Sequence, residues 1–516
     1  MDVNDGWKRT CKALLGDEIG DIGIYKSFLE KFVYTLEERK SGISGKNVFI
    51  SYEDFSKGAK FIGYEESDAY SKNFASDFKL HINEIKDIDS ILGAIEDHVC
   101  YSGNIVLGNS SEIAGSNRVT NSHFVHSSTD VYDSKYVGFS SRVRYGEHVY
   151  GVNASGECRF MIKGFRQHRS SRCMEVHHCE HSSDCFFCGH IDGCQNCLFS
   201  FNQRSKFYMI GNLQLSKDEY LKLKEKLVED IRQTLESKKN IPSIIEIIAG
   251  ERSVGEGTRM IEPAPVPAEI ENNFGNCSKI LLGKELDGLQ NYKEWLFRHV
   301  PEPMKVKSAI SEKPVVVARL LFHEQEIGSF LDEQEADEHG RNGLSASDVQ
   351  ILKLSNASEL LEKIKQITPE ITIRKNVGNV DCGIIANAVG CYFSSECAYC
   401  KHVAYSAWPR ESEHLFGTTT TFSSQFCMKC YNSVKLSRCF EVSDSNNCSG
   451  CYFCHNVENV HDSMFCFNAK NLNYAIGNVE IGREKFSQIK KMVLDELSAK
   501  IERGKKLDLS VYNLGR

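Results

Sequence analysis

Cysteine is the residue in this chain whose number and spacing first suggest chemistry. The chain has 516 residues and 21 cysteines, and 18 of these lie in two segments, residues 104–209 and 376–475. Five pairs have the spacing Cys-x-x-Cys, at which two thiolates can bind one tetrahedral zinc ion. The pairs are Cys185/Cys188, Cys194/Cys197, Cys397/Cys400, Cys427/Cys430 and Cys451/Cys454. Taken alone, these pairs would indicate zinc sites.

The spacing of the cysteines as a whole favours a different interpretation. Within each segment, every separation between cysteines is a multiple of three residues. A repeat that turns one residue in three toward an interior produces Cys-x-x-Cys wherever two neighbouring inward positions are both cysteine. A free cysteine is a small apolar residue that suits a narrow core. We therefore expect most of these thiols to be packing residues, without a bound cofactor.

One run has a stronger metal signal than the rest. In the sequence EVHHCEHSSDCFFC, histidines and cysteines lie close together, and both are zinc ligands. The second half of the chain lacks these histidines at the equivalent positions 443, 444 and 447, so we expect such a site in one copy only. Zinc and an iron–sulfur cluster are alternatives for the metal. The candidate ligands are His177, His178, Cys179, His181, Cys185 and Cys188.

Two histidines are candidates for general-base catalysis. His148 follows Glu147, and the pair recurs as Glu413 and His414. A histidine placed between two coils can remove a proton from an acceptor substrate. The alternative is that both histidines lie at surface turns, and no set of nucleophile, base and orienting residue is recognisable. We therefore expect a protein without catalytic activity, with His148 and His414 as weak candidates.

Positive charge is concentrated in the first of the two segments. Basic residues there alternate with Phe160, Phe165 and Phe207, and such a stripe can contact RNA phosphates and stack on bases. The alternative is an ordinary solvated face, on which Arg172 and Glu175 have the spacing of an exposed ion pair. The candidate nucleic-acid contacts are Lys163, Arg166, Arg169, Arg172, Arg204 and Lys206.

The element predicted to position all these residues is a β-solenoid. Small residues recur every six positions from Ser110 to Cys194, and bulkier residues such as Val119 and Val125 recur three positions later. A helical period of 3.6 or a strand period of 2 would not keep this pattern over so long a segment, whereas stacked coils would. The pattern predicts a stacked parallel β-helix with two or three hexads per coil. Its inward step of three resembles the coils of insect antifreeze proteins.

The second half of the chain repeats the first. Adding 266 to a residue number aligns SRCMEV at 171–176 with SRCFEV at 437–442, and 16 of the 42 residues in 171–212 are identical to their counterparts. An amphipathic helix is predicted after each solenoid, at 216–238 and 482–504, and Ser216 with Glu219 forms a capping box at the first of them. We expect a tandem duplication whose two modules pack together as a pseudo-dimer.

This pattern divides the chain into five parts. They are an N-terminal α/β cap of module 1 (1–100), β-solenoid 1 with its closing helix (101–239), a linker (240–275), an α/β cap of module 2 (276–372), and β-solenoid 2 with its closing helix and tail (373–516). Glycine and proline in the linker predict a semi-rigid segment. The acidic stretch DEQEADEH at 332–339 predicts a mobile loop.

Composition indicates the cellular setting. The N-terminal sequence MDVNDGWKRT has no signal-peptide character, and no apolar run is long enough for a membrane helix. An odd number of cysteines favours free thiols in a reducing compartment. The net charge of −8 provides no global attraction to nucleic acid. We expect a cytoplasmic protein that does not contact membranes.

The end of the first solenoid resembles that of uncharacterised cysteine-rich hexad-repeat proteins of microbial genomes. The likeness lies in CQNCLFSFN at 194–202, in Lys206, Tyr208, Ile210 and Asn212, and in LSKDEY at 215–220. This resemblance implies the solenoid fold and no particular activity.

The function expected from the sequence is a non-catalytic scaffold. Such a scaffold would present rigid solenoid faces, or the cleft between modules, to a protein or a larger assembly. A thiolate scaffold for zinc or an iron–sulfur cluster is one alternative, and an RNA-binding protein is another.

Overall fold

Parallel β-structure dominates the fold. The computed structural model describes residues 2–51, 54–79, 84–250, 260–319, 327 and 329–515. Fifteen strands form one sheet, here called the first sheet, in which every pairing is parallel except that of the last two strands. Its strands are Val106–Leu107, Ser111–Ala114, Asn117–Thr120, His123–His126, Thr129–Tyr132, Lys135–Gly138, Ser141–Arg144, Glu147–Gly156, Arg159–His168, Ser171–Glu180, Ser183–Asp192, Gln195–Leu198, Phe201–Arg204, Phe207–Ile210 and Leu213–Gln214.

A second region of mostly parallel strands, here called the second sheet region, covers residues 371–480. It contains parallel sheets of three and seven strands, extended by isolated bridges, and ends in an antiparallel pair of strands. Its strands are Ile371–Ile373, Ile384–Ala386, Val389–Tyr392, Cys397–Ala398, Lys401–Ala404, Glu413–Phe416, Thr419–Phe422, Gln425–Ser443, Asn446–Ser449, Tyr452–His455, Ala475–Ile476 and Val479–Glu480. A strand-rich chain with large parallel sheets and accompanying helices is therefore confirmed.

Apart from the first strand of each region, which pairs with an offset of thirteen residues, the parallel strands of the two regions pair in a register of twelve residues. In the first sheet Lys135 pairs with Glu147, which in turn pairs with Arg159. In the second sheet region Glu413 pairs with Gln425. Along both regions nearly every third residue has a positive φ, although most of these residues are not glycine. This left-handed conformation bends the backbone at regular intervals.

Side chains that directly follow these bends form two narrow cores. In the first sheet the core begins with Val119, Val125 and Val131 and continues with cysteines, and in the second sheet region cysteines make up most of it. Buried serines satisfy their hydrogen bonds within the repeat. The Ser134 hydroxyl donates to Tyr132 O at 2.7 Å and accepts from the Gly146 N–H at 2.9 Å. A polar side chain is thus tolerated in an otherwise apolar interior.

The two closing helices lie where the sequence predicts them, at Lys217–Lys238 and Arg483–Gly504. The Ser216 hydroxyl accepts from the Glu219 N–H at 3.3 Å, and the Ser216 N–H donates to the Glu219 carboxylate at 3.2 Å, so the capping box is confirmed. Further α-helices of the described residues are Val3–Leu15, Lys26–Glu30, Ser67–Lys79, Ile88–Ile95, Ile244–Ala249, Ala268–Leu282, Lys293–Phe297, Glu333–His339, Ala346–Ile351 and Ala357–Leu360.

Short 3-10 helices and strand pairs complete the structure outside the two sheet regions. The 3-10 helices are Ile22–Tyr25, Tyr64–Glu66, Leu289–Tyr292, Leu354–Asn356 and Val511–Asn513. The additional strands are Leu36–Lys40, Asn47–Ser51, Lys60–Gly63, Cys100–Gly103, Met304–Lys307 and Pro314–Val317.

Two segments predicted to be flexible contain helices. The Asp332 carboxylate accepts from the Gln334 N–H at 3.1 Å and caps the helix Glu333–His339, so the prediction of a loop at 332–339 is wrong. Within the predicted linker, the helix Ile244–Ala249 has four buried isoleucines. Residues 251–259 of that linker lie outside the described residues.

The two predicted caps divide their contacts between both sheet regions. Among the described residues, the buried apolar ones between 7 and 29 pack against the first sheet, whereas those between 48 and 101 of the same cap pack against the second sheet region. In the second half of the chain, the described buried apolar residues between 270 and 300 pack against the second sheet region, and those between 306 and 367 pack against the first sheet. Each half of the chain thus contributes one segment to the core of the other half.

Equivalent asparagines anchor the two exchanged segments. The Asn468 side chain donates to Cys100 O at 2.8 Å, and the side chain of Asn202 donates to Gln366 O at 2.7 Å. The two donors are 266 residues apart, as are the two acceptors. The exchange is therefore reciprocal and follows the internal repeat.

Candidate functional sites

The thiols that follow the repeat are buried and free. All 21 cysteines are free, and of these only Cys382 is partly exposed. Many thiols donate to the carbonyl oxygen two residues earlier, as Cys185 Sγ does to Ser183 O at 3.2 Å. Burial raises the pKa of Cys158 to about 12 and that of Cys185 to about 11, so both are protonated at neutral pH. These are properties of packing residues rather than of nucleophiles.

The structure does not bring the predicted metal ligands at 177–188 together. The three thiols lie in the core of the first sheet, whereas the rings of the first two histidines stack on each other at 4.6 Å outside that core. The third histidine is exposed and lies 3.3 Å from Asp192. A three-residue repeat explains the separation, because it gives the thiols and the histidines different orientations. The residues concerned are His177, His178, Cys179, His181, Cys185 and Cys188.

One group of thiols in the second sheet region does have the geometry of a metal site. The Sγ atoms of Cys391, Cys397 and Cys400 lie within 4.8 Å of one another, and all three side chains are buried. Within the described part of the chain, no other three thiols meet this condition. Hydrogen bonds with Cys391 and Cys397 lower the pKa of Cys400 well below its ordinary value. This cluster is able to hold a metal ion.

His148 and His414 pack against aromatic rings. His148 is stacked between Tyr136 and Phe160, with ring centroids 4.7 Å away on each side. His414 is stacked on Phe426 at 4.5 Å. Burial lowers the pKa of both histidines. Since partners twelve residues away account for both rings, their placement is explained without catalysis.

Carboxylates interrupt the predicted basic stripe. Lys163 is fully buried and therefore cannot contact a phosphate from solvent, whereas Lys206 is exposed. The prediction that Arg172 pairs with Glu175 is wrong, because Arg172 pairs with a residue twelve positions further along. The arginine pairs are Arg166–Glu396, Arg169–Glu157, Arg172–Asp184 and Arg204–Glu333, with N–O distances of 2.8, 3.1, 2.6 and 3.5 Å.

Lys163 and Glu175 instead lie side by side on neighbouring strands, both fully buried inside the first half of the molecule. Burial raises the pKa of the Glu175 carboxyl, while the charge of each side chain favours the charged form of the other. The Glu175 carboxylate also accepts from the Ser243 hydroxyl at 2.9 Å and from the Ile244 N–H at 2.8 Å. Burial lowers the pKa of Lys163 to about 8. Hydrogen bonds of this kind are needed to keep buried charges in place.

The same arrangement recurs in the second half. Lys429 donates to Trp295 O at 2.7 Å, and Glu441 accepts from the Val511 N–H at 2.9 Å. Burial lowers the pKa of Lys429 to about 8. Sequence reasoning missed both pairs. The available signal was a lysine twelve residues before a glutamate in each copy, the same interval as the strand register.

A cleft of about 760 Å³ lies between the two sheet regions. Its lining residues come from both halves of the chain, from the strands of both sheet regions and from the loops that flank them. The charged and aromatic residues of the lining include Arg118, Arg142, Arg298, Arg319, Asp54, Asp130, Glu302, Tyr34, Phe297 and Tyr512. This volume is typical of small-molecule sites.

The arginines of the cleft are positioned in different ways. Arg118 forms two hydrogen bonds with the Asp444 carboxylate, at 2.6 and 3.0 Å, and so links the two halves. The Arg142 guanidinium lies over the Tyr34 ring, 4.5 Å from its centroid. Arg319 Nε is buried and has no hydrogen-bond partner among the described residues. A buried donor of this kind favours a site for an acceptor group.

No known protein family, no curated protein and no solved structure matches this chain. Among the described helices, none combines the length and apolar character needed to cross a bilayer.

Proposed function

We propose that the protein is a non-catalytic binding scaffold made of two β-solenoids. The twelve-residue register and the bend at nearly every third residue support closed coils of two hexads, with one residue in three turned inward. In this arrangement the duplicated modules form a pseudo-dimer. The exchange of segments between the halves supports a rigid relative placement of the two solenoids.

The cleft between the solenoids is the proposed working surface, and its ligand is a nucleotide. The observation that carries this proposal is the arginine-rich lining of a space of about 760 Å³. Arginine binds phosphate oxygens with two parallel hydrogen bonds, and a flat base can stack on an aromatic ring or on a guanidinium plane. Tyr34 under Arg142 provides such a stack at the edge of the cleft.

Charge balance in the cleft favours a ligand of few phosphates. Asp54, Asp130 and Glu302 share the lining with the arginines, and Arg118 is already bound to Asp444. The remaining positive charge is small, so an extended polyanion such as RNA gains little there. Since the arginines of the first sheet are also paired with carboxylates, we favour the nucleotide over RNA.

The experiment is a thermal-unfolding titration of the full chain with AMP, ADP and ATP, with adenosine as the ligand without phosphate. A ligand that binds only the folded state raises the unfolding temperature as its concentration exceeds Kd. We expect a saturable increase for at least one nucleotide and none for adenosine. An equal response to adenosine, or none to any nucleotide, would contradict the proposal.

Matched variants assign the effect to the cleft. Arg142→Gln and Arg319→Gln should each weaken nucleotide binding about tenfold or more, because each removes a charged hydrogen-bond donor. Arg159→Gln is the control, since this side chain is 71% exposed and lies outside the cleft. Equal affinity in all three variants would place the ligand elsewhere.

A further inference from the structure

Three of the buried thiols occupy inward positions of one twelve-residue repeat. Cys391, Cys397 and Cys400 lie at three of its four inward positions, and Ser394 lies at the fourth. The repeat wraps around a narrow core, so the three sulfur atoms converge to within 4.8 Å of one another. Two other repeats of the described chain also have three inward cysteines, but their sulfur atoms do not all lie within 4.8 Å of one another.

The distances suit a single ion better than a cluster. Tetrahedral zinc has zinc–sulfur bonds of about 2.3 Å, which places its thiolates about 3.8 Å apart. Sulfur atoms already within 4.8 Å need only small rotations to reach this separation. The cysteines that hold an iron–sulfur cluster are further apart, because several irons and sulfides lie between them.

The first half of the chain shows that packing does not require thiols at these positions. Subtracting 266 gives Val125, Val131 and Ser134, which lie in the same register of the first sheet. Val125 pairs with Val137, just as Cys391 pairs with Val403. The same backbone is therefore built with residues that bind no metal.

Cys382 is the fourth available thiol. Its side chain packs against the same core of cysteines, and it is the one cysteine that is partly exposed. At present its Sγ donates to Val380 O at 3.4 Å, so a rotation of the side chain is needed to reach the group. Partial exposure of Cys382 provides an entry path for an ion. The equivalent residue in the first half is Ser116.

We infer that the second sheet region binds one zinc ion through Cys382, Cys391, Cys397 and Cys400. The ion stabilises a stretch with short strands, since residues 377–411 pair largely through isolated bridges and strands of two to four residues. Zinc binding displaces thiol protons, because thiolates are the ligands. The site is separate from the proposed nucleotide cleft, so either can be disproved without the other.

The test is metal analysis of the full chain purified under reducing conditions and reconstituted with zinc, followed by dialysis. We expect about one zinc per chain. The triple variant Cys391→Val, Cys397→Val and Cys400→Ser copies the residues of the first half and should lose this zinc while remaining folded. Cobalt substitution should give sulfur-to-cobalt charge-transfer bands in the original protein and none in the variant.

The control replaces two other buried cysteines. Cys448→Ser and Cys466→Ser copy Ser182 and Ser200 of the first half and leave all four proposed zinc ligands in place. This variant should therefore keep its zinc. Three results would overturn the inference: no zinc in the reconstituted protein, equal zinc in the triple variant, or iron with sulfide in place of zinc. Thermal unfolding of each variant verifies that it is folded.

A transplant makes the test independent of loss of folding. Introducing Ser116→Cys, Val125→Cys, Val131→Cys and Ser134→Cys builds the same ligand set in the first half. The zinc content should rise from about one to about two per chain. An unchanged zinc content in this folded variant, with cobalt bands no stronger than in the original protein, would contradict the assignment of these four positions.

Discussion

At the level of single residues, burial shifts the pKa of the histidines downward, in the opposite direction to the pKa of the thiols. His455 Nε2 accepts from the Ser102 N–H at 3.1 Å, and its Nδ1 lies 2.8 Å from the Ser443 hydroxyl. This pattern requires a neutral ring with the proton on Nδ1. Burial lowers the pKa of His455 to about 4, and it lowers that of His299 to about 4 as well.

These shifts predict a loss of stability in mild acid. Below its ordinary pKa of 6.5 a histidine binds a proton in the unfolded chain, whereas His455 in the folded chain does not until about pH 4. As the pH is lowered from the first of these values to the second, this histidine should therefore decrease the free energy of unfolding by about 1.4 kcal/mol per pH unit. Urea unfolding at a series of pH values measures the slope. His455→Asn should reduce it by this amount, and His461→Asn is the control. Equal slopes for the original protein and His455→Asn would refute the assignment.

At the level of elements, the sequence patterns that predict secondary structure here are those repeated at a fixed interval. The apolar stripe from Tyr220 to Leu235 and the capping serine at 216 define the closing helix without tertiary information. At residues 332–339 the acidic composition predicts a loop, whereas the N-cap at Asp332 starts a helix there. For a related reason the sequence alone does not reveal that Lys163 lies beside Glu175, since a twelve-residue interval has no meaning until the strand register is known.

The end of the helix Glu333–His339 gives a prediction at this level. A Cβ on Gly340 would lie 2.3 Å from Asn202 O, a backbone atom of the first sheet that cannot move aside. Gly340→Ala should lower the free energy of unfolding by about 1–3 kcal/mol. Gly93→Ala, inside the helix Ile88–Ile95, meets nothing within 4 Å and should stabilise by about 0.5–1 kcal/mol. Urea denaturation of both variants tests the contact, and a Gly340→Ala protein as stable as the original would contradict it.

At the level of the whole molecule, the two halves are joined by contacts that no short-range pattern could reveal. The Tyr101 hydroxyl donates to Val511 O at 3.0 Å, across 410 residues of sequence. Repetition of the sequence predicts two modules, and nothing in the spacing of residues indicates that each half of the chain supplies a segment to the core of the other half. The duplicated surfaces are alike, so the sequence does not indicate which of the two a given segment packs against.

Cleavage between the halves tests the exchange. A specific protease site inserted after residue 255 would divide the chain into two fragments. Since each fragment contributes buried residues to the core of the other, we expect the fragments to elute together in size-exclusion chromatography at neutral pH. Elution in concentrated urea is the control, and there the fragments should separate. Separation without denaturant would show that the exchanged segments do not hold the molecule together.

The register of twelve residues also determines how such a chain can change in length. Gain or loss of one whole repeat keeps each residue beside a partner of the same kind, as Val125, Val137 and Val149 already are. A change of three residues keeps the orientation of every side chain, but each residue then pairs with one that lies three positions away from its usual partner. A change of one residue turns valines and cysteines outward. Natural variants of this protein should therefore differ in length by whole repeats, and the mutational events that selection retains in these regions are in-frame duplications and deletions of that unit.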